Sequence, residues 1–117
     1  MAFIMKRIST HILDLTRGKP ASDVPVRLER QDASGNWQQL QLARTDQDGR
    51  CGQLLPGDEL PAGLYRLVFD TASYFDSLRL NGLYPVVEVT FHVREGESSL
   101  HIPLLLSPNG YTTYRGS

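Results

Sequence analysis

Two of the three histidines in this 117-residue sequence lie close to its two ends, at positions 11 and 101. His11 precedes Ile12, and His101 stands between Leu100 and Ile102. Because alternate side chains of a β-strand face opposite sides, both imidazoles are expected to point away from the face that buries these apolar neighbours. An imidazole has an unperturbed pKa of about 6.5, which suits proton transfer near neutral pH. The two histidines are therefore candidates for acid–base chemistry, with surface or interface histidines as the alternative.

The segment around His101 is apolar on both of its faces. One alternating row is Leu100, Ile102, Leu104 and Leu106, and the opposite row contains Pro103 and Leu105 beside the histidine. A sheet face that meets solvent is normally polar, so two apolar faces indicate that both are covered. This pattern predicts a subunit interface beside His101. A histidine whose polar atoms are satisfied within that interface is the alternative to a catalytic one.

Arg50 directly follows an Asp-Gly turn at positions 48 and 49. Its planar guanidinium suits a heterocycle with several carbonyl oxygens better than an ammonium group does. A solvated arginine at the start of a strand is the alternative. The adjacent Cys51 has a cationic neighbour that could lower its pKa, although a thiol beside a turn is more often incidental. His92 shares a predicted polar outer face with Glu88 and Thr90, so no chemistry is assigned to it.

Other functional classes have weak support in the sequence. The histidines lack the short spacing of zinc motifs, so no metal site is predicted. Neither a G-x-S-x-G elbow nor a Gly-rich phosphate loop is present. Twelve basic residues balance thirteen acidic ones without a basic block, which argues against nucleic-acid or membrane-surface binding. The single cysteine cannot form an intrachain disulfide. The first seven residues do not resemble a signal peptide, so a cytoplasmic location is expected.

Short alternating segments separated by turns predict the elements that carry these residues. We expect an all-β antiparallel sandwich of about eight strands, in a single domain over residues 1–117, with residues 1–6 loosely ordered. One short helix is predicted to begin at Asp70 or Thr71, run to about Leu80 and stop at Asn81-Gly82. Its apolar face is expected to contain Tyr74, Phe75 and Leu78. The predicted strands include residues 24–29, 37–42, 64–70, 84–94, 100–106 and 111–115.

Three sequence segments carry a resemblance to a known family. They are Ser-Thr-His-Ile-Leu-Asp at 9–14, Leu-His-Ile-Pro-Leu-Leu-Leu-Ser-Pro at 100–108, and Tyr-Arg-Gly-Ser at 114–117. Together with Arg50, they resemble the 5-hydroxyisourate hydrolase family, also called transthyretin-related proteins. The resemblance extends from Ile8 to Ser117. The Tyr-Arg-Gly-Ser segment is its most specific part, because it separates these enzymes from transthyretin, the hormone carrier of the same fold.

The resemblance implies a transthyretin-like (prealbumin-like) sandwich that forms a homotetramer, as a dimer of dimers. Active sites would lie in a channel at the dimer–dimer interface, each built from two subunits. The implied reaction is hydrolysis of a ring amide of 5-hydroxyisourate, the product of urate oxidation, to a ureido-imidazoline carboxylate. No metal or organic cofactor is implied. The alternatives are a non-catalytic transthyretin-like carrier of small molecules and an accessory domain that only mediates assembly.

The resemblance also implies a role for each site residue. His11 and His101 would activate water and transfer protons, without a decision on which does which. Arg50 would bind the ring carbonyls and stabilise negative charge. Tyr114 would position the substrate, and Ser117 would orient a histidine or the water. Arg115 and Gly116 would support the site; as a strand neighbour of Tyr114, Arg115 is expected to face the opposite side.

Overall fold

The structure is a computed structural model that describes residues 5–117. Within these residues it contains ten β-strands, with one α-helix between the sixth and seventh. The helix, α1, spans Thr71–Ser77. The strands are β1 (Arg7–Asp14), β2 (Lys19–Pro20), β3 (Pro25–Gln31), β4 (Trp37–Arg44), β5 (Arg50–Cys51), β6 (Gly63–Phe69), β7 (Val87–Val93), β8 (Ser99–His101), β9 (Leu104–Ser107) and β10 (Gly110–Thr113).

The strands form two sheets, which confirms the predicted all-β sandwich. One sheet has the order β4-β3-β6-β7, and the other has the order β10-β9-β1-β2 with β5 and β8 also paired to β1. All pairs are antiparallel except those of β1 with β8 and with β9, which are parallel. β2, β5 and β8 contain only two or three residues each, which accounts for more strands than the eight expected. β1 is the strand with most partners in its sheet.

Alternating side chains of both sheets fill the core. In β1, Ile8 and Ile12 are fully buried, and in β3 so are Val26 and Leu28. The predicted row from β8 and β9 is confirmed, since Leu100, Ile102, Leu104 and Leu106 are all buried. The predicted continuous strand 100–106 is wrong, because β8 ends at His101 and β9 begins at Leu104. Pro103 lies in this gap and has no N–H with which to continue a ladder.

The helix begins as predicted but ends early. Asp70 caps its N-terminus by accepting a hydrogen bond from the backbone N–H of Ser73 at 3.0 Å. The predicted end at Leu80 is wrong, because the last helical residue is Ser77 and Arg79 adopts a φ of +58°. Residues other than glycine rarely adopt this left-handed backbone conformation. An arginine at position 79 therefore gave no sequence signal that the helix would end there. The predicted apolar face is confirmed: Tyr74 and Phe75 are buried, and Leu78 packs against the core.

Several other boundaries differ from the predictions. β7 begins at Val87 rather than at residue 84, and β10 ends at Thr113 rather than at residue 115. The expected loose segment 1–6 falls mainly on residues 1–4, which lie outside the described residues. The carbonyl of Lys6 accepts a hydrogen bond from Gln53 Nε2 at 2.7 Å. Among residues 5–117, no helix has the length and apolarity needed to cross a membrane.

Candidate active site

β1 presents one of its two faces outside the core, and this face is polar except at Leu13. Its residues Ile8, Thr10, Ile12 and Asp14 are buried, whereas Arg7, Ser9, His11 and Leu13 alternate with them and are more exposed. The prediction that His11 points away from the face that buries Ile12 is therefore confirmed. Since β1 has β5 on one side and β8 with β9 on the other, side chains from these strands lie beside its outer face.

β5 places Arg50 directly opposite His11. The two residues are antiparallel register partners, so their Cβ atoms lie on the same face of the sheet, roughly 5 Å apart. The turn before Arg50 requires a glycine: Gly49 has a φ of +76°, and a Cβ on it would lie 2.4 Å from the carbonyl oxygen of Ile12. The Gly49 carbonyl accepts a hydrogen bond from the Ile12 N–H at 2.8 Å. Close backbone contact between β1 and this turn therefore fixes the backbone position of Arg50.

His101 lies on the other side of β1. It is the parallel register partner of Ser9, and Ser9 Oγ lies 2.9 Å from His101 Nδ1, a hydrogen bond. The backbone N–H of Gly116 donates to the His101 carbonyl at 2.7 Å, and a Cβ at Gly116 would lie 2.5 Å from His101 Cδ2. The imidazole is thus confined by Ser9 and by the backbone of Gly116. Position 116 has no room for a Cβ unless the His101 ring shifts.

One open cleft of about 250 Å³ brings three of the predicted residues together. Its lining includes Arg50, His101 and Ser117; the other lining residues are Arg7, Ser9, Thr10, Gly52 and Ser99. Arg50 and Ser117 come from segments that are 67 positions apart in the sequence. His11, the register partner of Arg50, is not among the lining residues, but it lies close enough to His101 to lower the pKa of that imidazole.

The surroundings of His101 favour its neutral form. Burial lowers the pKa of His101 below its ordinary value, and the positive charge of Arg50 and the neighbouring His11 lower it further. All three effects penalise the imidazolium, because charge is poorly solvated there and repelled by like charge. A neutral imidazole in a cleft beside a guanidinium can accept a proton from water while the guanidinium stabilises negative charge on an oxygen.

Tyr114 and Arg115 lie outside this cleft in the same chain. Both line a second hollow of about 180 Å³, which His92 also lines. Arg115 forms an ion pair with Glu97 at 2.9 Å. The expectation that Tyr114 and Arg115 face opposite sides of a strand is wrong, because β10 ends at Thr113 and the alternation of a strand no longer applies. The substrate-binding role of Tyr114 stays a prediction.

Two other potentially reactive side chains, Cys51 and His92, do not line the cleft. Cys51 is buried, and burial together with the Asp46 carboxylate raises the pKa of its thiol to about 11. The suggestion that the neighbouring Arg50 could lower this pKa is therefore wrong, because the pKa is raised. His92 is exposed on the outer side of β7, as predicted. Over residues 5–117, no group of three or more His, Cys, Asp and Glu side chains is arranged to hold a metal ion.

Ser9 contacts His101 directly in the cleft, and sequence reasoning did not single it out. Ser9 precedes His11 by two residues, so strand alternation places both side chains on the same face of β1. This alternation was the sequence signal that could have identified Ser9. Its contact with His101 depends on the parallel register of β1 and β8, which joins positions 92 residues apart. No short-range pattern reveals such a pairing.

The fold and the cleft define a two-sheet β-sandwich with imidazole and guanidinium groups on β1 and on the strands β5 and β8 that pair with it. The family model described as the HIUase/Transthyretin family matches residues 8–116. The chain belongs to this family. It is 46% identical over 110 residues to the 5-hydroxyisourate hydrolase of Salmonella typhi, covering 94% of this chain and 80% of that protein. It is 42% identical over 118 residues to that of Mus musculus, covering 100% of both.

Solved structures of both branches of the family resemble this fold. The 5-hydroxyisourate hydrolase of Klebsiella pneumoniae gives a TM-score of 0.84 with 34% identity, covering 97% of this chain and 100% of that one. Sea bream transthyretin in complex with thyroxine gives a TM-score of 0.88, also with 34% identity, covering 93% of both chains. The similarity of the folds therefore does not separate hydrolase from carrier, and the residues of the cleft must decide.

Proposed function

We propose that this protein is a 5-hydroxyisourate hydrolase, which opens a ring amide of 5-hydroxyisourate to give 2-oxo-4-hydroxy-4-carboxy-5-ureidoimidazoline in urate degradation. The observation that carries the proposal is the meeting of Arg50, His101 and Ser117 in one cleft. Residues from separate parts of the chain are needed to build it, and each has a group suited to amide hydrolysis. The relatives named as hydrolases in Salmonella typhi and Mus musculus support the choice of substrate.

His101 is proposed as the general base. Because its pKa is lowered, it is neutral at the pH of the cell interior and can take a proton from water as the water attacks the ring carbonyl. The attack forms a C–O bond and places negative charge on the carbonyl oxygen, which Arg50 stabilises. When the ring C–N bond breaks, the leaving nitrogen needs a proton. His11, opposite Arg50, or the newly protonated His101 supplies it.

The last four residues are proposed to complete the site. Ser117 lines the cleft and orients the water or a histidine, and Gly116 confines the His101 ring. Arg115 holds this segment through its ion pair with Glu97. Tyr114 is proposed to position the substrate. Since it lies outside the cleft of its own chain, its contact with substrate depends on the assembly.

The assembly is proposed to be a homotetramer, a dimer of dimers, with the cleft facing another subunit. Leu13 and Leu105 are register partners and are only half-buried on the outer face of the sheet that carries the cleft. Covering this face would bury apolar surface, which favours association. It would also enclose a cleft that is open in the single chain and exclude water from the substrate.

The proposal is tested by mixing the purified protein with freshly generated 5-hydroxyisourate and following the loss of its ultraviolet absorbance. We expect decay well above the spontaneous rate and proportional to protein concentration. A rate equal to the blank would rule out the hydrolase.

A carrier function is the second candidate, because sea bream transthyretin bound to thyroxine has a closely similar fold. A carrier predicts saturable binding of an aromatic ligand such as thyroxine without loss of 5-hydroxyisourate. The cleft is lined by the imidazole of His101 and the guanidinium of Arg50, and a second imidazole, His11, is the register partner of Arg50. These polar groups favour hydrolysis over the carriage of an apolar ligand.

A further inference from the structure

A serine hydroxyl engages one nitrogen of the His101 ring. Ser9 Oγ lies 2.9 Å from Nδ1. Both residues are partly buried and are register partners in the parallel pair of β1 and β8. The contact is therefore built by two strands of the sheet, rather than by flexible side chains that meet at the surface.

The backbone around Ser9 is held on the same side. The Ser9 carbonyl accepts a hydrogen bond from the Ile102 N–H at 2.9 Å. The buried hydroxyl of Thr10 donates to the Ile102 carbonyl at 2.6 Å. These bonds join Ser9 and Thr10 to Ile102, the residue after His101. The spacing of Ser9 and His101 is therefore supported by contacts that involve neither the Ser9 nor the His101 side chain.

The consequence for the ring follows from the two tautomers of neutral imidazole, in which one nitrogen carries hydrogen and the other has a lone pair. If Nδ1 is engaged by Ser9, Nε2 is the nitrogen left for the substrate and water. For Nε2 to accept a proton, Nδ1 must carry the hydrogen, and Ser9 Oγ is then the acceptor. That bond persists after Nε2 is protonated, since Nδ1–H donates in both states.

We propose that Ser9 is a positioning residue, which accepts a hydrogen bond from Nδ1–H of His101 and so makes Nε2 the proton-transferring nitrogen of the hydrolase. This inference rests on the proposed function for its catalytic meaning. The tautomer itself is a property of the protein and can be measured without substrate. In hydrogen-bonded imidazoles, the group on one nitrogen sets which tautomer is present.

The experiment compares the wild-type protein with Ser9→Ala and Ser9→Thr. Ser9→Ala removes the acceptor, and we expect kcat to fall about tenfold, as for the loss of one hydrogen bond, with KM changed by less than about twofold. Ser9→Thr keeps the hydroxyl and is expected to restore most of kcat. Ser77→Ala is the matched control, because it also removes one side-chain hydrogen bond, to the Tyr74 carbonyl, but on the helix. It is expected to leave kcat unchanged.

Nitrogen-15 spectra of labelled histidine report the tautomer of His101, which would not change if Ser9 had only a structural role. We expect His101 to be in the Nδ1–H tautomer in the wild-type protein at a pH above its pKa, and in a mixture of tautomers in Ser9→Ala. An Nε2–H tautomer in the wild type, or a Ser9→Ala protein with unchanged kcat, would overturn the proposal. If the wild type fails to hydrolyse 5-hydroxyisourate, the proposed function fails, while the spectra still decide whether Ser9 sets the tautomer.

Discussion

At the scale of single residues, several contacts constrain the side chain of His101 in the cleft. Ser9 engages Nδ1, the Gly116 backbone lies against the ring, and Arg50 with His11 disfavours the protonated form. These contacts give the imidazole one orientation and one preferred charge before substrate arrives. A base that is already neutral and oriented needs little reorganisation in the reaction.

The proposed role of His101 as general base predicts a pH dependence that is set by its lowered pKa. A general base acts only when neutral, so activity is present above its pKa and is lost as pH falls through it. Because the pKa of His101 lies below 6.5, we expect kcat/KM to stay constant down to a pH below 6.5 before it declines. Arg50→Ala removes one of the causes of this lowering and should move the acid decline to higher pH. A pH profile of kcat/KM for both proteins tests this; a shift to lower pH in Arg50→Ala would contradict it.

Substitution of the three cationic or proton-transferring residues should separate chemistry from folding. We expect His101→Ala, His11→Ala and Arg50→Ala each to slow turnover, with His101→Ala lowering kcat by at least about 100-fold, as for the loss of a general base. All three side chains lie outside the core, so the melting temperature and oligomeric state should change little. His92→Ala, on the outer side of β7, is the control. Normal rates in all three variants would mean that the site lies elsewhere.

Residue types and alternation predicted which side chains leave the core, and the resemblance assigned proposed roles to some of them. His11 and the buried row beside His101 were predicted from a period of two alone. Ser9 and the position of Tyr114 were not, because each depends on tertiary structure: the pairing of β1 with β8 in the first case, and the end of β10 in the second. The raised pKa of the Cys51 thiol was also not predicted, since burial cannot be read from its neighbours in the sequence.

At the scale of elements, the site depends on how β1 meets the segments beside it. The turn before β5 approaches β1 so closely that its carbonyl bonds to Ile12 and its Cα has no room for a Cβ. The turn thus determines where Arg50 lies relative to His11. An element of two residues has little stability of its own, so its position is set by this contact.

Gly49→Ala should therefore be costly. The alanine Cβ would meet the Ile12 carbonyl oxygen at 2.4 Å in a conformation with positive φ, and we expect a loss of at least about 3 kcal/mol of stability. Gly35→Ala is the matched control, because Gly35 also has a positive φ, +86°, but open space around it; it should cost about 1 kcal/mol. Urea unfolding of both variants measures the difference. Equal losses of stability in the two variants would show that the close approach to Ile12 is not the reason why position 49 requires a glycine.

The predictability of the elements follows the same division between local and long-range causes. The helix start was predictable because the Asp70 cap acts within its own turn. Its end was not, because it depends on a left-handed Arg79 rather than on the Asn-Gly pair further on. The parallel pairing of β1 with β8 and β9 joins the two ends of the chain, and short alternating segments carry no information about such partners.

At the scale of the whole molecule, the proposed tetramer and the cleft are linked. Leu105→Arg places a charge on the outer face where Leu13 and Leu105 pair, and we expect it to split the tetramer and to lower activity in parallel. Leu42→Arg is the control, because Leu42 is already 59% exposed on the other sheet. Sedimentation should give four times the mass of one chain for wild type and Leu42→Arg, and less for Leu105→Arg. A wild-type monomer with full activity would contradict the proposed assembly.

The most direct test of the account is the rate at which 5-hydroxyisourate disappears when wild-type protein and His101→Ala are added at equal concentration. The central claim is that the groups converging in the cleft of β1, β5, β8 and the last residues catalyse this hydrolysis. We predict rapid loss of ultraviolet absorbance with the wild type and near-spontaneous loss with His101→Ala. Loss at the spontaneous rate with the wild-type protein, or equal acceleration by both proteins, would contradict the claim.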